Sequence, residues 1–168
     1  RHELTAHDVC AHQFAGNKAM KILVTGSSGL VGKSLIDFLT TGGHEAVRLV
    51  RGSSQQDNAI QWNPSEGQID RAALEGIEAV VHLAGEGIAG RRWSTAQKAR
   101  ILDSRVEGTR LLCEALAEMQ TPPHTLISAS AVGFYGDRGD ETLDETSDVG
   151  TGFLADVCQQ WETACEPA

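Results

Sequence analysis

Three glycines, Gly26, Gly29 and Gly32, stand at three-residue spacing directly after the apolar run Ile22-Leu23-Val24. Glycines so placed let backbone amides reach a pyrophosphate that bulkier residues would hold away. Gly26 allows a sharp turn, Gly29 close approach of the phosphate, and Gly32 close packing of the following helix on the strand. Ser27, Ser28, Leu30 and Val31 complete the turn. Their amides lie at a helix start, where free N–H groups and the positive end of the helix dipole favour an anion. A merely tight turn has the same spacing. The context separates the two readings: a strand before, a helix after, then a second strand.

A second candidate lies about 20 residues beyond the glycines, where an acid would bond the adenosine ribose 2′-hydroxyl of NAD. This chain has Arg51 there, followed by Gly52-Ser53-Ser54. A guanidinium can pair with a 2′-phosphate in bidentate fashion, so the position points to NADP. The plain alternative is an exposed Arg on a loop. A third candidate is His82-Leu83-Ala84-Gly85, where small residues after a strand let a flat ligand lie on backbone.

These residues need strands and helices to position them. Ile22 to Val24 reads as a buried parallel strand, and Leu30, Val31, Leu35, Ile36 and Leu39 recur at helical spacing. Gly42-Gly43 stops that helix, and Ala46 to Val50 is a second strand. The polar stretch from Gln55 holds a short strand at Ile60-Gln61-Trp62 and a turn at Asn63 to Gly67. Asp70 to Leu74 reads as a short helix and Ala79 to Leu83 as the fourth strand. Ser94 to Met119 is the longest helix, opened by a capping box of Ser94 and Gln97 and ended by Pro122-Pro123. Gly108 interrupts it. Thr125 to Ala129 is the fifth strand, Asp137 to Asp148 an acidic loop, and Phe153, Val157 and Trp161 share one face of a last helix. The alternation predicts an α/β, doubly wound parallel (Rossmann) sheet in the order 3-2-1-4-5.

Bulk properties narrow the function. Residues 20–168 fit one domain, and residues 1–19, with His2, His7 and His12, read as a linker or the tail of a preceding domain. A metal site there has no zinc-like spacing behind it. A net charge of −9 argues against a nucleic-acid surface. No apolar run reaches the length of a membrane span, and no signal peptide is visible. Four cysteines without a Cys-x-x-Cys pair read as reduced thiols of a cytoplasmic protein.

Taken together, Thr25 to Gly32, His82 to Gly85, Ser128-Ala129-Ser130 and Tyr135-Gly136 resemble the extended short-chain dehydrogenase/reductases. Gly85-Glu86-Gly87-Ile88, Arg92-Trp93, Ser104-Arg105, Phe153-Leu154 and Trp161-Glu162 are similar to the atypical "epimerase family" branch, described as NADP-dependent oxidoreductases. The leader also resembles the tail of a lipid-binding (START-like) domain fused ahead of this one in some members. The resemblance implies that the glycine turn holds the pyrophosphate and Arg51 the 2′-phosphate. It places Leu83 and Ala84 along the adenosine and ribose, with Gly85 also at the cofactor. It puts Arg105 against the cofactor (a solvated helix charge being the alternative) and the loop Glu86 to Trp93 over the pocket. It makes Ser130 the group that bonds the substrate oxygen, with Tyr135 or water as proton source. It further implies one more βα unit and a C-terminal substrate domain beyond residue 168, which would leave the fifth strand at an exposed edge prone to self-association.

One departure stands out. The family's hydride chemistry uses a Tyr with a Lys four residues on, which lowers the Tyr pKa. The chain has one tyrosine, Tyr135, and no Lys beyond Lys98. Distance from Ser130 puts the motif at Phe153 and Val157, which cannot transfer a proton. Two functions follow for an unknown small-molecule substrate: an NADP-dependent oxidoreductase or epimerase, or an NADP-sensing or scaffold module without turnover.

Overall fold

The computed structural model describes residues 18–52 and 58–168. The leader histidines, Cys10, Ser53 and Ser54 lie outside the described residues. Strands β1 (Lys21–Thr25), β2 (Glu45–Arg51), β3 (Ala59–Asn63), β4 (Gln68–Ile69), β5 (Ala79–His82) and β6 (Thr125–Ser128) form one sheet in the order β4-β3-β2-β1-β5-β6. All pairings are parallel except β3 with β4. The five-strand order expected from the sequence is thus present. An antiparallel β4 is added where the sequence suggested only a turn: Gly67, at φ +64, reverses the chain and lets Ile69 pair with Trp62.

Alternation along β1 decides which helix covers which face, because successive side chains point to opposite sides. Leu23 joins Val47, Leu49, Ile60, Trp62 and Val80 under helix α2 (Thr95–Ala117), which contributes Leu112 and Leu116. Ile22 and Val24 join Ala46 under helix α1 (Leu30–Thr41), which contributes Ile36 and Leu39. Each fully buried Leu or Ile stabilises the fold by about 1.5–3 kcal/mol. Gly108 does not interrupt α2. A Cβ there would lie 3.5 Å from the Trp62 ring, so the glycine lets the helix settle onto the sheet.

A third helix, α3 (Phe153–Thr163), packs on α2 and on the 3₁₀ turn Val132–Tyr135 that follows β6. The short helix expected at Asp70 to Leu74 is a single 3₁₀ turn, Ala72–Leu74. Strand β6 pairs with β5 alone, and Ile127 on it is 57% exposed, so it forms an open sheet edge among the described residues. No helix among them is long and apolar enough to cross a membrane.

Candidate functional site

The glycine turn sits at the C-terminal edge of the sheet, between β1 and α1. Gly26 has φ +65, and a Cβ on it would lie 2.7 Å from the Leu83 carbonyl carbon and oxygen. The turn therefore touches the end of β5 backbone to backbone. The Gly29 amide donates to the Gly26 carbonyl at 2.9 Å. A Cβ on Gly32 would collide with that same carbonyl oxygen, so Gly32 permits the helix to close on the turn itself rather than on the strand. Gly29 caps α1 without a side-chain acceptor, and the first intrahelical bond runs from the Lys33 amide to the Gly29 carbonyl at 3.0 Å. The amides of Leu30, Val31 and Gly32 thus have no intrahelical partner. Leu30 and Val31 are 88% and 64% exposed around them, Ser28 is exposed and Ser27 is buried.

Beside the turn, the end of β5 is held by a buried polar chain. The Thr25 hydroxyl oxygen accepts from the Leu83 and Ala84 amides, both at 3.0 Å. It lies 2.7 Å from His82 Nδ1, and His82 Nε2 lies 2.9 Å from the Thr109 hydroxyl of α2. All three side chains are fully buried, and burial pushes the His82 pKa down to about 4.

The loop after β5 is pinned by α2. The Glu86 amide donates to Ser104 Oγ at 2.9 Å, and Arg105 Nη1 donates to the Glu86 carbonyl at 3.0 Å. The Arg105 guanidinium fills the space beside Gly85, 3.1 Å from where a Cβ would stand, and lies 5.1 Å over the Trp161 ring. Burial lowers its pKa, opposed by Cys158 and Glu86. The half of the capping box that forms is the Gln97 amide donating to Ser94 Oγ at 3.2 Å. The Gln97 side chain does not return to the cap. It is buried and reaches Glu86 and the Gly87 carbonyl, both at 3.5 Å.

Past β6, Ser130 Oγ donates to Glu162 Oε1 of α3 at 2.5 Å. Cys158 Sγ reaches the Ala131 carbonyl at 3.6 Å, and Leu154 lies 3.0 Å from where a Cβ on Gly133 would stand. The face of α3 turned to residues 130–134 is therefore Leu154, Cys158 and Glu162. This corrects the expected register. Phe153 instead meets Trp93 at 5.8 Å between ring centroids and Lys98 at 5.2 Å, and Val157 is buried. The pair with four-residue spacing toward Ser130 is Leu154 and Cys158, and burial raises the Cys158 thiol pKa. Tyr135 is half-buried in its 3₁₀ turn, edge-on to Phe134 at 5.3 Å.

The topology gathers the predicted residues on one edge of the sheet. Gly26 to Gly32, Leu83 to Gly85 and Arg105 cluster around the end of β1 and β5. Arg51 is exposed at the end of the neighbouring β2, and Ser130 follows β6 on the other side. Sequence reasoning missed Thr109, Gln97 and Glu162 as partners, and it saw Thr25 and His82 only as letters of motifs. The signal available for His82 was a polar residue in an apolar strand.

A parallel doubly wound sheet with a glycine turn at its switch point defines a dinucleotide-fold protein of Rossmann type. The sequence pattern of the NAD dependent epimerase/dehydratase family matches residues 22–153, and the chain belongs to that family. It is 44% identical over 147 residues to an epimerase family protein of Mycobacterium bovis, covering 88% of this chain and 48% of that protein. It superposes with TM-score 0.80 and 41% identity on the crystal structure of a nucleoside-diphosphate sugar epimerase from Corynebacterium glutamicum, covering 95% of this chain and 34% of that one. The human epimerase family protein SDR39U1 (isoform 2), crystallised with NADPH, matches with TM-score 0.75 and 29% identity over 87% of this chain and 48% of that one. The chain thus spans about half the length of the curated relatives it matches.

Proposed function

We propose that the chain is the cofactor-binding half of an NADP-dependent oxidoreductase or epimerase acting on a small molecule. The observation that carries this reading is the α1 start. Three amides without intrahelical partners are bared by glycines whose Cβ positions are blocked by backbone, and Arg51 stands on the next strand end. The amides of Leu30, Val31 and Gly32 would hold the pyrophosphate, Arg51 the 2′-phosphate, and the Leu83–Gly85 backbone the ribose side. The NADPH in the human relative's crystal supports the same choice. When bound, NADP supplies the hydride chemistry, and the protein's task is orientation. Ser130 borders the place for a substrate oxygen, and its proton is held by Glu162. With that proton engaged, the exposed oxygen would accept from a substrate hydroxyl. To polarise a carbonyl it must first release Glu162.

A second reading, an NADP sensor or scaffold without turnover, is favoured by Leu154 and Cys158 where the wider family needs Tyr and Lys. One experiment separates the two. The full-length protein is titrated with NADPH and then mixed with carbonyl compounds while nicotinamide absorbance is followed. Binding with consumption supports the enzyme, binding without it the sensor, and no binding overturns both. Leu154→Tyr with Cys158→Lys should then restore a general acid facing Ser130, a gain of roughly 10²-fold or more on some carbonyl. No gain with NADPH affinity intact means that any native chemistry uses another donor.

A further inference from the structure

We infer that His82 is a positioning residue for the dinucleotide site, locked as the Nε2–H tautomer so that Thr25 can hold the Leu83–Ala84 peptide against the glycine turn. The assignment follows from counting hydrogens. A threonine hydroxyl has two lone pairs and one proton. Both lone pairs of Thr25 Oγ1 are taken by the Leu83 and Ala84 amides. Its proton must then go to the remaining neighbour, His82 Nδ1 at 2.7 Å, which has to be the acceptor. The imidazole hydrogen therefore sits on Nε2 and is donated to Thr109 at 2.9 Å. A proton on Nδ1 would face an oxygen with no lone pair to spare, and the hydrogen bond donated by the Leu83 or Ala84 amide would be lost.

The consequence reaches the site because Gly26 rests on the same peptide. The Leu83 carbonyl is the wall that a Cβ on Gly26 would strike. The sequence His82, Thr25, Leu83–Ala84, Gly26 thus links a buried imidazole to the turn whose amides face the pyrophosphate. This link rests on the cofactor reading above, but its geometry can be tested apart from it.

The full-length protein is labelled with ¹⁵N. Its imidazole resonances should show a neutral His82 carrying hydrogen on Nε2, and the Leu83 and Ala84 amides should exchange slowly. His82→Leu removes the acceptor. It should speed that exchange and weaken NADPH binding about tenfold, the effect of one hydrogen bond. His82→Asn places an amide oxygen near the Nδ1 position and should restore both readouts. Thr25→Ser should resemble wild type, and Thr25→Val should resemble His82→Leu. Hydrogen on Nδ1 in the wild type overturns the inference whether or not any variant folds, and so does equal exchange in folded His82→Leu and His82→Asn. A wild type that holds the tautomer and protected amides but does not bind NADPH overturns the cofactor reading and leaves the tautomer lock standing.

Discussion

The half of the sheet edge built by β1, α1 and β5 and the half built by β6 and α3 solve different problems. In the first, the glycine turn meets the end of β5 backbone to backbone, and the polar side chains that hold it, Thr25, His82 and Thr109, are fully buried and bonded to one another or to backbone. In the second, Ser130 and Glu162 are exposed, and Leu154 and Cys158 occupy the helix face turned toward Ser130. A turn that must place amides for a phosphate tolerates almost no change in its own atoms, because Cβ groups at Gly26 or Gly32 have nowhere to go. A surface that only needs a proton donor somewhere near a substrate can exchange its side chains while the helix keeps its packing. The half around the glycine turn is therefore geometrically fixed, and the half around Ser130 is open to side-chain replacement.

The contrast can be broken at several levels. The largest effect is expected from Gly32→Ala, whose methyl would run into the Gly26 carbonyl. It should destabilise the protein by roughly 2–4 kcal/mol in denaturant unfolding and abolish NADPH binding. Gly139→Ala, at φ +57 with open space around it, should cost only about 1 kcal/mol. Equal effects at the two sites would show that the turn is not fixed by packing.

Acid comes next. The His82 pKa falls from 6.5 to about 4 on burial, so between those values the unfolded chain binds a proton that the folded chain refuses. Stability from this group is full above about pH 6.5 and declines as pH falls toward 4, by roughly 3 kcal/mol in all. His82→Asn should flatten that part of the pH–stability curve. An unchanged slope would mean that other groups drive the acid transition.

Arg51→Asp should reverse the cofactor preference while leaving the fold intact, because Arg51 is exposed at a strand end. The change removes one charged phosphate pairing, about 1.5–3 kcal/mol or roughly 10- to 150-fold in the NADPH to NADH affinity ratio. Isothermal titration with both nucleotides reads it directly, and an unaltered ratio would remove Arg51 from the site.

The smallest effect belongs to the half around Ser130. Glu162→Ala frees the Ser130 hydroxyl at an exposed position, so stability should move by no more than about 0.5 kcal/mol and NADPH affinity should stay put. A large loss in either would show that the two halves are coupled after all.

How much of this could be read beforehand depends on the distance over which each feature is decided. The glycine turn and the five parallel strands were legible because strand alternation, glycine spacing and helical periodicity are local. Strand β4 was not, since two residues pairing antiparallel leave no periodic signal. The register of α3 was missed by one residue: Phe153 and Leu154 are both apolar, and only the contact of Leu154 with Gly133 separates them. Arg105 could be named from its place in a motif, but not its position between Gly85 and the Trp161 ring.

By itself the sequence determined an α/β fold with a glycine turn between the first strand and helix and a basic residue at the end of the second strand, because these are encoded by residue type at short spacing. Within residues 131–168 it contains no Tyr-x-x-x-Lys pair. Only the tertiary structure decided that Thr25, His82 and Thr109, up to 84 residues apart in the chain, form one buried hydrogen-bonded line, and that the Ser130 hydroxyl donates a hydrogen bond to Glu162. The reason is physical. A hydrogen bond is fixed by donors and acceptors within about 3 Å, and which groups come that close is settled by how helices seat on the sheet.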